Sequence, residues 1–128
     1  ETAVSPDDSC HVLDIEGLKS KSIKFWSFWE NNNLVGCGAL KFLGNNCGEF
    51  KSIRVKDQYR GKKLGEKVIT YLIHKAKKEG IEKLCIETGA GEFFEPARKL
   101  FKKFGFKTCE PFADYKNDPN SCYFDLDI

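Results

Sequence analysis

Hydrophobic positions in the first half of the chain follow the period of β-strands. The stretches IKFWSFWE (23–30), LVGCGALKFLG (34–44) and CGEFKSIRV (47–55) are aromatic or β-branched and largely alternate with polar residues. Asparagines at 31–33 and at 45–46 separate them, and Asn tolerates the left-handed backbone that tight turns need. The pattern therefore predicts three strands in an antiparallel meander.

The hydrophobic period changes after the third stretch. Between 65 and 79, apolar residues recur at intervals of three and four, which predicts an amphipathic helix with lysines outside. Gly80 is placed to cap that helix, and KLCIETG (83–89) is typical of a buried strand. A strand, a helix and a strand in this order predict a βαβ crossover.

The remaining segments complete a mixed α/β fold. A second helix is predicted from 93 to 104, followed by strands at 106–112 and 121–128 that form a C-terminal hairpin. We expect a short helix or turn, then a loop, in DDSCHVLDIEGLKS (7–20). The whole chain, 1–128, is predicted to form one domain.

Composition excludes several classes of protein. No stretch approaches the roughly 18 to 20 consecutive apolar residues of a membrane helix. A net charge of +2 and the lack of a recognised nucleic-acid motif argue against nucleic-acid binding. Six cysteines without a C-x-x-C pair, and only two histidines, indicate reduced thiols and no metal site. The start resembles no secretory signal, so we expect a cytoplasmic protein.

The segment QYRGKKLG (58–65) suggests the chemistry. It lies between the third strand and the first helix and carries three basic side chains and two glycines. A helix N-terminus exposes unpaired N–H groups and a partial positive charge, which suits phosphate oxygens. A basic loop without a ligand is the alternative interpretation, and the P-loop and dinucleotide-binding spacings are both absent.

The same segment resembles the GNAT superfamily of acyl-CoA-dependent N-acetyltransferases. That signature has Gln or Arg, two variable residues, Gly, one variable residue, then Gly or Ala. The chain has Arg60, Gly61, Lys62, Lys63, Leu64 and Gly65, with Lys63 in place of the first signature glycine. ARKLFKKFGF (97–106) matches a second family segment, and PFADYKNDPNSCYF (111–124) resembles the YsnE-like acetyltransferases.

This resemblance implies acetyl-CoA as the cosubstrate and an amine as the acceptor. The coenzyme's diphosphate would lie on the N–H groups of residues 60–65, and its pantetheine arm beside Ile53, Arg54 and Val55. The family usually has a strand and a helix before the meander, which we expect to be missing here. The chain contains no Met, so we also expect residues upstream of position 1.

Two residues are candidates for acid–base chemistry. Glu49 lies six residues before Val55, where some family members place a catalytic base; Glu87 is the second choice, and a structural ion pair is the alternative for Glu49. Strict alternation puts Glu49, Lys51, Ile53 and Val55 on one face.

The acid is harder to assign, because Phe101 replaces the Tyr that in this family usually protonates the leaving thiolate. We assign this role to Tyr115, with Tyr123 a weaker candidate.

Because Phe101 cannot donate a proton, the alternative function is an acyl-CoA-binding module without catalysis. The chain could also form a homodimer, since the aromatic strands and the terminal hairpin could supply an interface.

Overall fold

A single mixed sheet organises the described part of the chain. The computed structural model describes residues 2–4, 10–15, 23–56 and 64–128, in which the strands follow the order β1-β2-β3-β4-β5-β6-β8-β7. The strands are β1 (Thr2–Val4), β2 (Cys10–Ile15), β3 (Ile23–Glu30), β4 (Asn33–Gly44), β5 (Cys47–Val55), β6 (Lys83–Gly89), β7 (Lys107–Thr108) and β8 (Ser121–Asp127). The helices are α1 (Leu64–Lys78) and α2 (Glu95–Lys103), and a 3₁₀ turn covers Glu92–Phe94.

The predicted meander is confirmed. β3, β4 and β5 pair antiparallel in sequence order. Asn31, Asn32, Asn45 and Asn46 have positive φ angles between 48° and 68°, so asparagine does supply the left-handed turns.

The predicted crossover is confirmed as well. β5 and β6 pair in parallel, and α1 connects them. Gly80, at the end of α1, has φ of 84°, and Gly105, after α2, has φ of 98°. Both glycines therefore serve as left-handed helix caps.

The prediction for 7–20 is wrong where the structure describes it. Cys10–Ile15 forms β2, antiparallel to β3 with Val12 opposite Phe28, and Thr2–Val4 pairs with β2. Pairing with the edge of β3 outweighs a weak helical spacing, because local propensity yields to tertiary context. Strands therefore precede the meander, where the sequence analysis expected the first strand to be missing.

The strand predicted at 106–112 is also too long. Only Lys107–Thr108 pairs with β8, and Cys109 N–H adds one further bond to Tyr123 O. Pro111 has no N–H to contribute to a ladder, so the chain leaves the sheet before it. The C-terminal hairpin is present, but its first strand is short.

Both helices pack on one face of the sheet. The core between them and the strands is apolar and almost fully buried, and it includes Trp26, Leu40, Phe50, Ile69, Leu72 and Phe101. Gly38 faces this core, where an added Cβ would lie 2.7 Å from Leu72. Among the described residues, no helix combines the length and the hydrophobicity needed to cross a bilayer.

Candidate active site

The central feature of the site is a gap in the sheet. β5 and β6 are paired from Cys47 opposite Lys83 to Phe50 opposite Ile86. Both strands continue, to Val55 and to Gly89, without pairing each other. The sheet is therefore open between their ends, and the facing backbone edges are available to a ligand.

Two clefts occupy this gap. The first, of about 520 Å³, lies between the end of β5 and the helices, and we call it the apolar cleft because Ile53, Val55, Phe93, Phe94, Pro96, Ala97, Leu100 and Phe101 are among its lining residues. The second, of about 410 Å³, is called the charged cleft because Glu49, Lys51, Arg54 and Glu87 are among its lining residues. Residues such as Ile53 and Arg54 line both clefts, so the two are adjacent.

A β-bulge at Ser52 changes which side chains face each cleft. Ser52 has φ of 56°, and the register moves from Cys37 opposite Arg54 to Ala39 opposite Lys51. Between these two pairs, Ser52 and Ile53 of β5 lie opposite the single residue Gly38 of β4. The extra residue in β5 reverses the alternation of its side chains after this point.

The predicted alternation along this strand is therefore wrong beyond Lys51. Phe50, Ile53 and Val55 all pack against the core on the helix side. Glu49 and Lys51 face the opposite side of the sheet, and the reversal brings Arg54 to that same side. The spacing of three between apolar residues 50 and 53 was the only signal of the bulge in the sequence.

Glu49 and Tyr115, the two predicted catalytic residues, lie in direct contact. Tyr115 Oη donates a hydrogen bond of 2.7 Å to Glu49 Oε2. Lys51 Nζ lies 3.5 Å from the same oxygen and donates to Tyr115 Oη at 3.3 Å. Glu49 is only 3% exposed, so these two partners offset the desolvation of its carboxylate. Its role as a base and that of Tyr115 as an acid stay predictions.

The segment after β7 holds Tyr115 over the sheet. Tyr115 N–H donates to Phe112 O, and the rings of Phe112 and Tyr123 lie 5.2 and 5.7 Å from that of Tyr115. Three aromatic rings therefore fix a side chain that comes from a loop. Sequence analysis missed this cluster, because contacts between a loop and a distant strand leave no periodic signal.

The surroundings of Tyr115 and Lys51 keep both side chains protonated. Burial, followed by the hydrogen bond to Glu49, raises the pKa of Tyr115. Burial on its own would lower the pKa of Lys51, but the hydrogen bond to Tyr115 and the charge of Glu49 outweigh it and raise that pKa. At neutral pH, Tyr115 is thus a phenol and Lys51 an ammonium.

The alternative candidates are placed differently. Glu87 lines the charged cleft and accepts a 2.7 Å hydrogen bond from Ser121 Oγ. Tyr123 is 7% exposed, and its hydroxyl donates to Lys116 O at 2.8 Å. Phe101 is 5% exposed, packs against Phe106 and lines both clefts without a donor.

The predicted phosphate-binding segment is described only at its end. Leu64 and Gly65 begin α1, whereas Arg60, Gly61, Lys62 and Lys63 lie outside the described residues. Leu64 is buried in the core, and Gly65 lines the apolar cleft. An added Cβ at Gly65 would lie 3.0 Å from Leu100, so glycine permits the close approach of α1 to α2.

Gly89 allows the far wall of the gap to form. An added Cβ there would lie 2.2 Å from the ring of Phe94, which lines both clefts. Arg98 Nη1 donates to Gly89 O at 2.7 Å and to Gly91 O at 2.9 Å, which fixes the turn between β6 and α2. Gly89 therefore lies at the edge of the gap.

Five cysteines whose side chains the structure describes are free, and two of them have strongly perturbed thiols: the five are Cys37, Cys47, Cys85, Cys109 and Cys122. Burial raises the pKa of Cys85 to about 12 and that of Cys109 to about 11. Both thiols are therefore protonated at neutral pH and poor nucleophiles. No cluster of potential metal ligands occurs among the described residues.

Comparison with known proteins agrees with this fold. The acetyltransferase (GNAT) family model matches residues 3–106. The chain is 48% identical to an uncharacterized N-acetyltransferase, YsnE, of Bacillus subtilis, over 95% of the chain and 81% of that protein. It is 31% identical to an IAA acetyltransferase of Azospirillum brasilense, over 94% of the chain and 78% of that protein.

Solved structures share the architecture. A GNAT-family acetyltransferase of Staphylococcus aureus matches 82% of the chain and 68% of its own length, with a TM-score of 0.70 and 25% identity. A GNAT-family acetyltransferase of Elizabethkingia anophelis with acetyl-CoA bound matches 94% of the chain and 99% of its own length, with a TM-score of 0.78 and 18% identity.

These findings define the class of protein. The chain belongs to the acetyltransferase (GNAT) family and is an acyl-CoA-dependent N-acetyltransferase. The predicted fold, enzyme class and cosubstrate are confirmed.

Proposed function

We propose that this chain acetylates a primary amine of a small molecule or a peptide. The observation that carries the proposal is the buried Glu49, bonded to Tyr115, at the point where β5 and β6 separate. The names of YsnE and of YedL from Escherichia coli, which is 37% identical over 97% of the chain, support an amine acceptor because both are called N-acetyltransferases.

The pantetheine arm would extend along the open edge of β5. Lys56 N–H donates to Val35 O on the β4 side, so alternation directs the N–H and C=O of Val55, and of Ile53, into the gap. Ile53 O accepts a 3.1 Å bond from the Arg54 guanidinium, which a pantetheine amide would replace. The arm would thus add a short strand to the sheet.

The diphosphate would lie at the start of α1. Leu64 and Gly65 supply N–H groups of the first helical turn, where the helix dipole favours anions. Arg60, Gly61, Lys62 and Lys63 complete the predicted contacts.

The reaction then needs one base and one acid. The neutral amine attacks the thioester carbonyl, a C–N bond forms, the C–S bond breaks, and Glu49 takes the amine proton. Tyr115 gives its proton to the leaving thiolate and recovers one from Glu49 through their hydrogen bond. The sum of these steps is an amide and free coenzyme A, with the enzyme unchanged.

A turnover screen tests this function. Acetyl-CoA consumption would be measured with polyamines, aminoglycosides, amino acids and peptides, then repeated with Glu49→Gln and Tyr115→Phe. We expect both variants to lower kcat, since acid–base groups contribute about 10²- to 10⁴-fold. Undiminished turnover in either variant would remove that residue from the mechanism.

The alternative of a binding module without catalysis disagrees with the enzyme class that the family and the relatives show. Binding and turnover can still be measured separately. Acetyl-CoA at about 100 times its Kd should stabilise the protein by about 2.7 kcal/mol. Thiol release in the presence of an amine then reports turnover, and stabilisation without thiol release across the panel would contradict the proposed acceptor.

We also propose a single cytoplasmic domain that forms a homodimer. All described strands belong to one sheet, and the five cysteines with described side chains are free thiols. β1 and β7 are the sheet's edges, which are the natural places for a second copy to pair. Sedimentation of the purified protein would show one species of twice the chain's mass.

A further inference from the structure

We infer that the acceptor is a zwitterionic amine, an amino acid whose carboxylate is bound by Arg54. This inference rests on the proposed function and deepens it by naming the substrate class. It also gives the Arg54 side chain a role, whereas the sequence analysis placed Arg54 only beside the pantetheine arm.

The bulge at Ser52 places Arg54 beside the reacting groups. Without the extra residue, period-two alternation would put Arg54 on the face opposite Glu49. With it, Arg54 shares the face of Glu49 and Lys51, and its guanidinium lies against Ile53 O at 3.1 Å, at the border of both clefts. The guanidinium can therefore reach a molecule held at Glu49.

The charges that line the charged cleft match a zwitterion. Glu49 is matched by Lys51 at 3.5 Å. Among the described residues, Arg54 has only a carbonyl oxygen as partner, and Glu87 has only the neutral Ser121 hydroxyl. Within the described part of the chain, one cation and one anion of this cleft thus have no partner of opposite charge. A ligand with a carboxylate for Arg54 and an amine near the two glutamates would satisfy both.

The dimensions suit a small molecule. Glu49 and Arg54 are five residues apart, which separates their Cα atoms by at most about 17 Å in an extended strand. Both residues line the same cleft, which measures about 410 Å³. An amino acid fits this space with its amine and carboxylate at opposite ends. A guanidinium can also bind a carboxylate with two parallel hydrogen bonds.

The experiment compares free amino acids with their carboxamides. The twenty L-amino acids and their α-amides would be assayed with acetyl-CoA on the wild type and on Arg54→Gln, with Lys99→Gln as the control. Lys99 is an exposed cation on α2, is absent from the lining of both clefts and gives the same change in net charge. The amides have the less basic amines, which are more often neutral, so a preference for the acids reports the carboxylate.

We expect wild type and Lys99→Gln to prefer the best amino acid over its amide by roughly 10-fold or more in kcat/KM, as the loss of a charged hydrogen bond predicts. Arg54→Gln should reduce that preference to about 1, whereas Lys99→Gln should keep it. Arg54→Glu should reverse the preference, so that the amide becomes the better substrate.

Three results would overturn the inference. Wild type could show no preference for the acid, Arg54→Gln could keep it, or Arg54→Gln could raise the KM for acetyl-CoA alone, which would return Arg54 to the cofactor. Calorimetry distinguishes the proposed function from the role of Arg54 in binding the acceptor. It measures how tightly the amino acid binds to the protein saturated with coenzyme A. Binding that depends on Arg54, without turnover of any amine, would support this inference while the proposed function fails.

Discussion

The two faces of β5 differ in chemistry although one short strand forms both. On the helix side, Phe50, Ile53 and Val55 are apolar and pack against the core. On the opposite side, Glu49, Lys51 and Arg54 are charged and line a cleft. We propose that the backbone edge and the apolar wall of this strand hold the cofactor, and that its charged face meets the acceptor.

The bulge is what separates these two roles. Ser52 adds a residue just after the last pair between β5 and β6, so the change of face coincides with the opening of the gap. Bulges often occur next to active sites, where they redirect side chains. Substitutions on the two faces should therefore differ in their effects on turnover, stability and pH dependence.

Loss of the buried carboxylate should have the largest effect. Glu49→Gln keeps the size and the hydrogen bond from Tyr115 but cannot accept the amine proton, so kcat should fall about 10²- to 10⁴-fold. Steady-state acetyl-CoA consumption measures this effect. Glu110→Gln, an exposed change on the segment that carries Tyr115, should leave kcat unaltered. Equal activity of both variants would make Glu49 a structural residue.

Closing the gap from the opposite wall should reduce stability. Gly89→Ala places a Cβ 2.2 Å from the Phe94 ring, which must move, so the free energy of unfolding should fall by about 1–3 kcal/mol. Gly91→Ala is the matched control, since nothing lies within 4 Å of its Cβ, and it should stay within about 0.5 kcal/mol of wild type. Urea denaturation distinguishes them, and equal stabilities would show that Phe94 is not held against Gly89.

Changing the bulge residue should affect both faces together. Ser52 has φ of 56°, a region that β-branched residues avoid, so Ser52→Val should destabilise the fold by about 1–2 kcal/mol. It should also raise the KM for acetyl-CoA and for the acceptor together. Ser52→Gly should match or slightly exceed wild-type stability. A Val variant with wild-type stability and kinetics would mean that this backbone conformation is unimportant.

The smallest effect is a loss of stability at alkaline pH. Tyr115, Lys51, Cys85 and Cys109 have raised pKa values, so the folded state keeps their protons longer than the unfolded state. Stability from the two thiols is therefore complete below pH 9 and is lost as pH rises toward about 11 and 12. The midpoint of urea denaturation, measured as pH rises above 9, should fall less steeply for Cys109→Ala than for wild type. An equally steep fall would show that the Cys109 thiol does not contribute to the loss of stability.

Sequence patterns predicted the elements that local interactions determine. The asparagine turns, α1 with its glycine cap, and the strand at 83–89 follow from periodicity and turn chemistry, and the structure reproduces them. β2 was missed because its pairing with β3 depends on residues far away in the chain.

The site was harder to predict than the fold. Glu49 was named from family resemblance and Tyr115 as a substitute for the tyrosine that Phe101 replaces, and the two lie in contact across 66 residues of sequence. The bulge at Ser52 was not predicted, since one added residue leaves composition and turn signals unchanged. As a result, the sequence analysis placed Ile53 and Val55 on the wrong face and Arg54 away from Glu49.

A crystal structure of the protein with acetyl-CoA tests the central claim most directly. We expect the pantetheine arm to bind the backbone of Ile53 and Val55 in the gap between β5 and β6, with the thioester in the charged cleft, within reach of Glu49 and Tyr115. A coenzyme bound outside this gap, or a thioester on the far side of the sheet from Glu49, would contradict the account.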